Sequence, residues 1–125
     1  MSNPQLPIEP VEACNPAPRV REPLTADAAV ELAAVFKALS DPVRLRLLSS
    51  IASRAGQEAC VCDLSEGIDL TQPTISHHLK VLRSAGLLTS ERRASWVYYR
   101  VVPEALQRVS DALLLESGVA AEVNA

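Results

Sequence analysis

Aromatic side chains are nearly absent: the 125 residues hold one Trp, two Tyr and one Phe. A core made without them has to come from Leu, Val, Ile and Ala, which suits packed helices. No apolar run approaches the roughly 18–20 residues of a membrane span, so no membrane partner is expected. The opening stretch, MSNPQLPIEPVEAC, lacks the basic patch and apolar block of a secretory signal. A cytoplasmic protein with reduced thiols is therefore expected. Cysteine is scarce as well, and three of them, an odd number, argue against a disulfide framework. No nucleophile–base constellation, Gly-rich phosphate loop or open metal site stands out, so an enzyme is not expected.

Positive charge is also in short supply overall, with a net charge of −3. Its distribution matters more than its total. Residues 71–100 hold five cations (Lys80, Arg83, Arg92, Arg93 and Arg100) against one anion, Glu91. A basic stripe on an acidic body still supplies the local field that phosphates require. The acidic remainder would repel DNA and help to orient the protein on it.

Proline divides the chain. Residues 1–23 contain Pro4, Pro7, Pro10, Pro16, Pro18 and Pro23, a density that excludes helix and favours a flexible arm. Cys14 lies in that arm. Residues 24–116 read as one folded domain, and 117–125 as a C-terminal tail.

Within the domain, TADAAVELAAVFKAL (25–39) reads as a helix capped by Thr25, apolar over more than half its girth. DPVRLRLLSSIASR (41–54) reads as a second, with Pro42 in its first turn. Its Arg44 and Arg46 are read as outward-facing. A short helix from about Val61 to Glu66 follows, and Gly67 and Asp69 break it. Thr71 then caps the next helix, whose Ile75, Leu79 and Leu82 recur at i, i+4, i+7. Gly86 sits where a helix stop belongs.

The opposite side of that helix carries Gln72, Thr74, Ser76, His77 and Lys80, polar groups with one cation and no carboxylate. Such a face can enter a major groove of double-stranded DNA and bond to base edges and phosphates. Helix, turn and a polar second helix form the helix-turn-helix pattern. His77 is expected near DNA and His78 partly packed.

LLTSERRASWVYYRVV (87–102) then reads as a β-hairpin with Arg92 and Arg93 at its tip, the position of a wing against the minor groove or its phosphates. The turn holds Ala94 where Gly or Asn is favoured. PEALQRVSDALLL (103–115) reads as a last helix with a broad apolar stripe. Together with the over-apolar first helix it suggests a homodimer interface. A two-fold dimer would present two recognition helices about 34–36 Å apart and bind an inverted repeat. The fold class expected is mainly α with a small β-hairpin, a winged helix-turn-helix.

Cys60 and Cys62 bracket the start of the helix before the recognition helix, where free amides and the helix dipole favour thiolate. Three readings stand. The pair could be two small buried residues. It could hold structural zinc, although zinc usually takes four ligands with a C-x₂₋₄-C spacing. Or it could bind a thiophilic ion that accepts three sulfurs. Trivalent arsenic or antimony fits that description, with Cys14 as the third ligand. Cd(II), Pb(II) or oxidation to a disulfide are alternative signals for the same thiols. Residues i and i+2 of a regular helix point about 200° apart, so one ion holding both sulfurs is expected to distort the helix start.

The stretch ACVCDLSEGIDLTQPTISHHLKVLRSAGLLTSERRASWVYYRV resembles the ArsR/SmtB family of metal-responsive winged-helix repressors, and FKALSDPVRLRLLSSI is similar to its second-helix region. The resemblance covers roughly residues 25–115. It implies a dimer that blocks a promoter when ligand-free and releases it on binding metal. The CVCD motif is similar to an arsenic-responsive branch, where three thiolates bind arsenite, and to a cadmium/lead branch with extra arm cysteines. The chain departs from the arsenic pattern at Ser65, where a third cysteine would stand; Cys14 would fill that role. The fourth thiolate of the cadmium/lead type is missing. Zinc sensors of the family use His and Asp on the last helix, and here only Asp111 is present.

Overall fold

The computed structural model describes residues 15–119. Cys14, with the rest of 1–14 and 120–125, lies outside them. The first helix, α1 (Ala26–Leu39), begins where Thr25 Oγ1 accepts from Ala28 N at 3.1 Å. The second, α2 (Pro42–Ala52), is capped by Asp41, whose carboxylate accepts from Arg44 N at 3.2 Å. In both, a short polar side chain satisfies an amide that the helix itself cannot. A single 3₁₀ turn (Ala55–Gln57) leads to strand β1 (Glu58–Cys60), then α3 (Val61–Leu64) and α4 (Gln72–Ser84). Strands β2 (Leu88–Arg93) and β3 (Trp96–Val101) and helix α5 (Pro103–Ser117) complete the order. Among the described residues no helix is long and apolar enough to cross a membrane.

The hairpin expectation is enlarged. The sheet has three antiparallel strands in the order β1-β3-β2. Glu58 stands opposite Arg100 and Cys60 opposite Tyr98, while Leu88 pairs with Val101 and Arg93 with Trp96. Alternation sends Ala59, Leu88, Tyr99 and Val101 inward, where all four are buried. The other face displays Glu58, Glu91, Arg93, Tyr98 and Arg100.

The core lies between that inner sheet face and helices α2, α3 and α4. Leu47, Ile51, Leu64, Ile75, Leu79, Leu82, Leu87 and Leu88 are its largest fully buried side chains. Aliphatic burial of this kind stabilises by roughly 1.5–3 kcal/mol per side chain. The end of α4 is fixed by its backbone. Gly86, at φ 83°, lets its N–H reach Arg83 O at 2.9 Å while Leu87 N reaches Leu82 O at 3.1 Å. That pair of bonds is the Schellman motif, and the buried Leu82 and Leu87 supply its apolar contact.

Helices α1 and α5 leave apolar surface uncovered. Val30, Leu113, Leu114 and Leu115 are exposed. Between the two helices opens a cleft of about 510 Å³ lined by Leu32, Val35, Ala105, Val109 and Ala112.

Candidate nucleic-acid interface and thiol site

Helix α4 is oriented by burial. Ile75, Leu79 and Leu82 are each 0% exposed, which turns Gln72, Thr74, His77 and Lys80 to solvent and leaves Ser76 half-buried. Thr74 also takes part in the cap: its hydroxyl accepts from Thr71 Oγ1 at 3.0 Å. His78 points the other way. Its Nδ1 lies 3.3 Å from Arg44 Nη1 and 3.7 Å from Asp41 Oδ2. Sequence reasoning assigns Arg44 to the outside; the structure turns it inward. Its guanidinium donates to Ala38 O at 2.5 Å and Lys37 O at 3.3 Å, so it covers the carbonyl end of α1, a favourable place for a cation. Arg44 thus ties α1, α2 and α4 together. Arg46 donates to Gly67 O at 3.2 Å, in the turn between α3 and α4.

On the wing, two neighbouring arginines have different surroundings. Arg92 is exposed and, among the described residues, forms no ion pair. Arg93 is committed to the protein. It donates to both oxygens of Glu58, at 2.9 and 3.0 Å, and to Glu91 at 3.2 Å. Its guanidinium carbon also lies 4.5 Å from the centre of the Tyr98 ring. Arg100 adds a bond to Glu58 at 2.8 Å. The hydrogen bonds from Arg93, then those from Arg100, hold the Glu58 carboxyl down from 4.5 to about 2. The same contact raises Arg93. The free basic stripe is thus narrower than the sequence suggests, because Arg93 and Arg100 share a carboxylate that lies outside residues 71–100. Glu58 stands beside the cysteine pair in the sequence, but its arginine partners lie 35 and 42 residues away, and no local spacing signals that contact.

Cys60 and Cys62 come together. The structure joins their sulfurs as a disulfide, with Cα atoms 5.3 Å apart. Oxidation to a disulfide is one of the alternatives the sequence leaves open for this pair, and a single bridge between residues two apart is not a disulfide framework. One expectation is corrected: the 200° argument does not apply. Cys60 is the N-cap of α3, with φ −79° and ψ 153°, so it is extended rather than helical. The two side chains meet without bending the helix. Cys60 Sγ accepts from Cys62 N at 3.2 Å, and Asp63 Oδ2 accepts from Cys60 N at 3.3 Å. Because α3 is a single turn, shorter than the expected Val61–Glu66, its dipole is small.

Ligand atoms of Cys60, Cys62 and Asp63 lie within 4.8 Å of one another. Cys60 is 3% exposed and Cys62 half-buried. When reduced, the described residues offer two soft sulfur donors and one carboxylate, a donor set for a thiophilic ion that needs one more sulfur. The only remaining cysteine is Cys14. Arg21, seven residues further along the chain, pairs with Glu116 at 2.8 Å and donates to Leu115 O at 3.4 Å.

Residues 41–90 match the family model described as bacterial regulatory protein, arsR family. The chain is 51% identical over 80 residues to the arsenic resistance transcriptional regulator ArsR1 of Pseudomonas putida, covering 64% of this chain and 60% of that protein. The chain thus spans less than two thirds of that relative's length. An uncharacterized HTH-type transcriptional regulator of Methanocaldococcus jannaschii is 35% identical over 77 residues, with 62% of this chain and 84% of that protein covered. Among solved structures, the AntR antimony-specific transcriptional repressor aligns with a TM-score of 0.62 at 30% identity, covering 86% of this chain and 97% of that one.

Proposed function

The chain belongs to the arsR family of bacterial regulatory proteins, and from that premise we propose that it is a metalloid-responsive transcriptional repressor. Its ligand-free homodimer binds an inverted-repeat operator, and trivalent arsenic or antimony releases it. The observation that carries this reading is the meeting of the Cys60 and Cys62 sulfurs at the start of α3, the helix that precedes α4. The similarity to an arsenic resistance regulator and to an antimony-specific repressor supports the same ligand class.

Gln72, Thr74, Ser76, His77 and Lys80 read the major groove, and Arg92 meets phosphate from the wing. Arg93 serves as the brace of that wing rather than as a phosphate contact. The uncovered apolar surfaces of α1 and α5 form the dimer interface, which sets the spacing of the two α4 helices. Cys60, Cys62 and Cys14 hold the inducer. Release requires the ligand to favour the DNA-incompetent form, by about 1–3 kcal/mol in typical couplings.

The test is a binding titration on a duplex that the protein itself selects from a random pool. Arsenite should lower occupancy for the reduced wild type, while Cys60→Ser and Cys62→Ser should stay bound. Release of either variant by arsenite at wild-type concentrations would refute the site.

The disulfide favours a second reading, in which thiol oxidation is the signal. A peroxide takes two electrons and two protons from the Cys60–Cys62 dithiol and leaves as water. Reduced and oxidised protein would then differ in operator affinity with no metalloid present.

A further inference from the structure

We propose that Glu58 is the positioning residue that couples the Cys60–Cys62 pair to the wing. The inference rests on the reading of that pair as the inducer site, whichever soft ligand fills it.

Strand β1 is only three residues long, and its two ends do different things. Cys60 ends it and caps α3. Glu58, two residues earlier, points from the same face of the strand. Both of its carboxylate oxygens are taken: Oε1 by Arg93 Nη1, Oε2 by Arg93 Nη2 and Arg100 Nη2. The Arg93 contact is a bidentate fork, which demands a fixed carboxylate orientation.

The β1 ladder covers only Tyr98, Tyr99 and Arg100 of β3. The wing tip, from Arg92 to Val97, therefore extends beyond any backbone pairing with β1. Arg93 bridges that gap. It leaves the tip, passes over the Tyr98 ring at 4.5 Å and ends on Glu58. Tyr98 is itself the ladder partner of Cys60. The side chain that holds the tip thus meets β1 at Glu58 and crosses the residue opposite Cys60. A ligand that moves Cys60 moves this short strand, and a fork that tolerates little misalignment loosens. The wing is then free to leave the position that suits the operator.

The chain has one Trp, and it lies on the wing: Trp96 pairs with Arg93 and is 53% exposed. Its emission reports the tip without a label. The probe is phenylarsine oxide, which bridges neighbouring thiols whatever the natural inducer is. Protein is reduced with a phosphine, and thiol titration checks that the Cys60–Cys62 pair is consumed. In the wild type, loading should change Trp96 emission and weaken operator binding about tenfold or more. In Glu58→Gln the same thiols should be consumed, yet operator binding should change by less than about threefold and the emission response should be lost. Arg93→Gln, which leaves Glu58 paired with Arg100, should reproduce that loss even if Glu58→Gln folds poorly.

A full wild-type response in Glu58→Gln or Arg93→Gln overturns the coupling. So does a wild type in which loading leaves Trp96 and operator binding unchanged, or in which the pair is not consumed. If phenylarsine oxide acts through Glu58 but arsenite does not release the wild type, the inducer assignment fails and the coupling stands. If arsenite releases both wild type and Glu58→Gln equally, the coupling fails and the inducer assignment stands.

Discussion

Two elements of this molecule are aimed at the same kind of partner but held by different forces. Helix α4 is fixed by apolar burial: Ile75, Leu79 and Leu82 have no exposed surface. The wing is fixed on its outer face by charge, through Glu58, Arg93 and Arg100, whose side chains are partly open to water. Burial is indifferent to moderate changes of pH and salt, whereas partly exposed ion pairs are sensitive to both. The helix therefore acts as the constant part of the proposed DNA interface and the wing as its adjustable part. The thiol pair adjoins the strand that braces the adjustable part.

The largest effect should come from attacking the burial. Leu79→Ala removes a fully buried side chain below α4 and should cost about 2–5 kcal/mol of stability, by a similar amount at every pH in the neutral range. Denaturant unfolding measures it. A cost below about 1 kcal/mol, the range of a surface substitution, would contradict the view that α4 is anchored by its apolar side.

Next comes the contrast between neighbouring arginines. If Arg92 faces phosphate and Arg93 does not, Arg92→Gln should lower the slope of log affinity against log salt by about 0.9 per subunit. Arg93→Gln should weaken binding through wing position while leaving that slope nearly unchanged. Equal slope changes for both would mean that Arg93 leaves Glu58 when DNA is bound.

A smaller effect separates the elements by pH. The Glu58 carboxyl is held at about 2 against an ordinary 4.5. A lowered carboxyl contributes stability that is complete above the ordinary value and is lost as pH falls towards the lowered one. Acid should therefore loosen the wing between pH 4.5 and 2, and Glu58→Gln should remove that part of the acid dependence. Thermal melts across the window, read by Trp96 for the wing and by far-UV circular dichroism for the helices, would detect it. Parallel curves for wild type and variant would argue against the brace.

Features that depend on near neighbours were legible in the sequence. Thr25 and Thr71 cap helices, and Gly86 ends one, because each acts within a few residues of itself. The polar face of α4 followed from the spacing of Ile75, Leu79 and Leu82. What was not legible depends on distant partners. Strand β1 is three residues whose ladder partners lie about forty residues on, too short to show a period. Arg92 and Arg93 are adjacent in sequence, but strand alternation sends them to opposite faces, and Glu58 lies 35 residues before Arg93. The cysteine geometry was misjudged for a local reason: a helical angle was applied to Cys60, whose backbone is extended. The part assigned to Cys14 lies outside the described residues.

The smallest effect concerns the tip itself. Ala94, the first residue of the two-residue turn between Arg93 and Trp96, has φ 55°. An L-residue in that region is disfavoured by roughly 1–2 kcal/mol, and a hairpin turn commonly supplies Gly or Asn there. Ala94→Gly relieves that strain but gives the unfolded chain extra freedom worth about 0.4–1 kcal/mol. The net gain expected is therefore about 0.5–1 kcal/mol, measurable by denaturant unfolding. Because the change relaxes the tip without touching Glu58, Arg93 or α4, it should leave the acid dependence of the wing unaltered. If Ala94→Gly instead destabilises the protein, the Ala94 methyl is making a packing contact that outweighs its strain, and the tip is held by more than the charges on the sheet face.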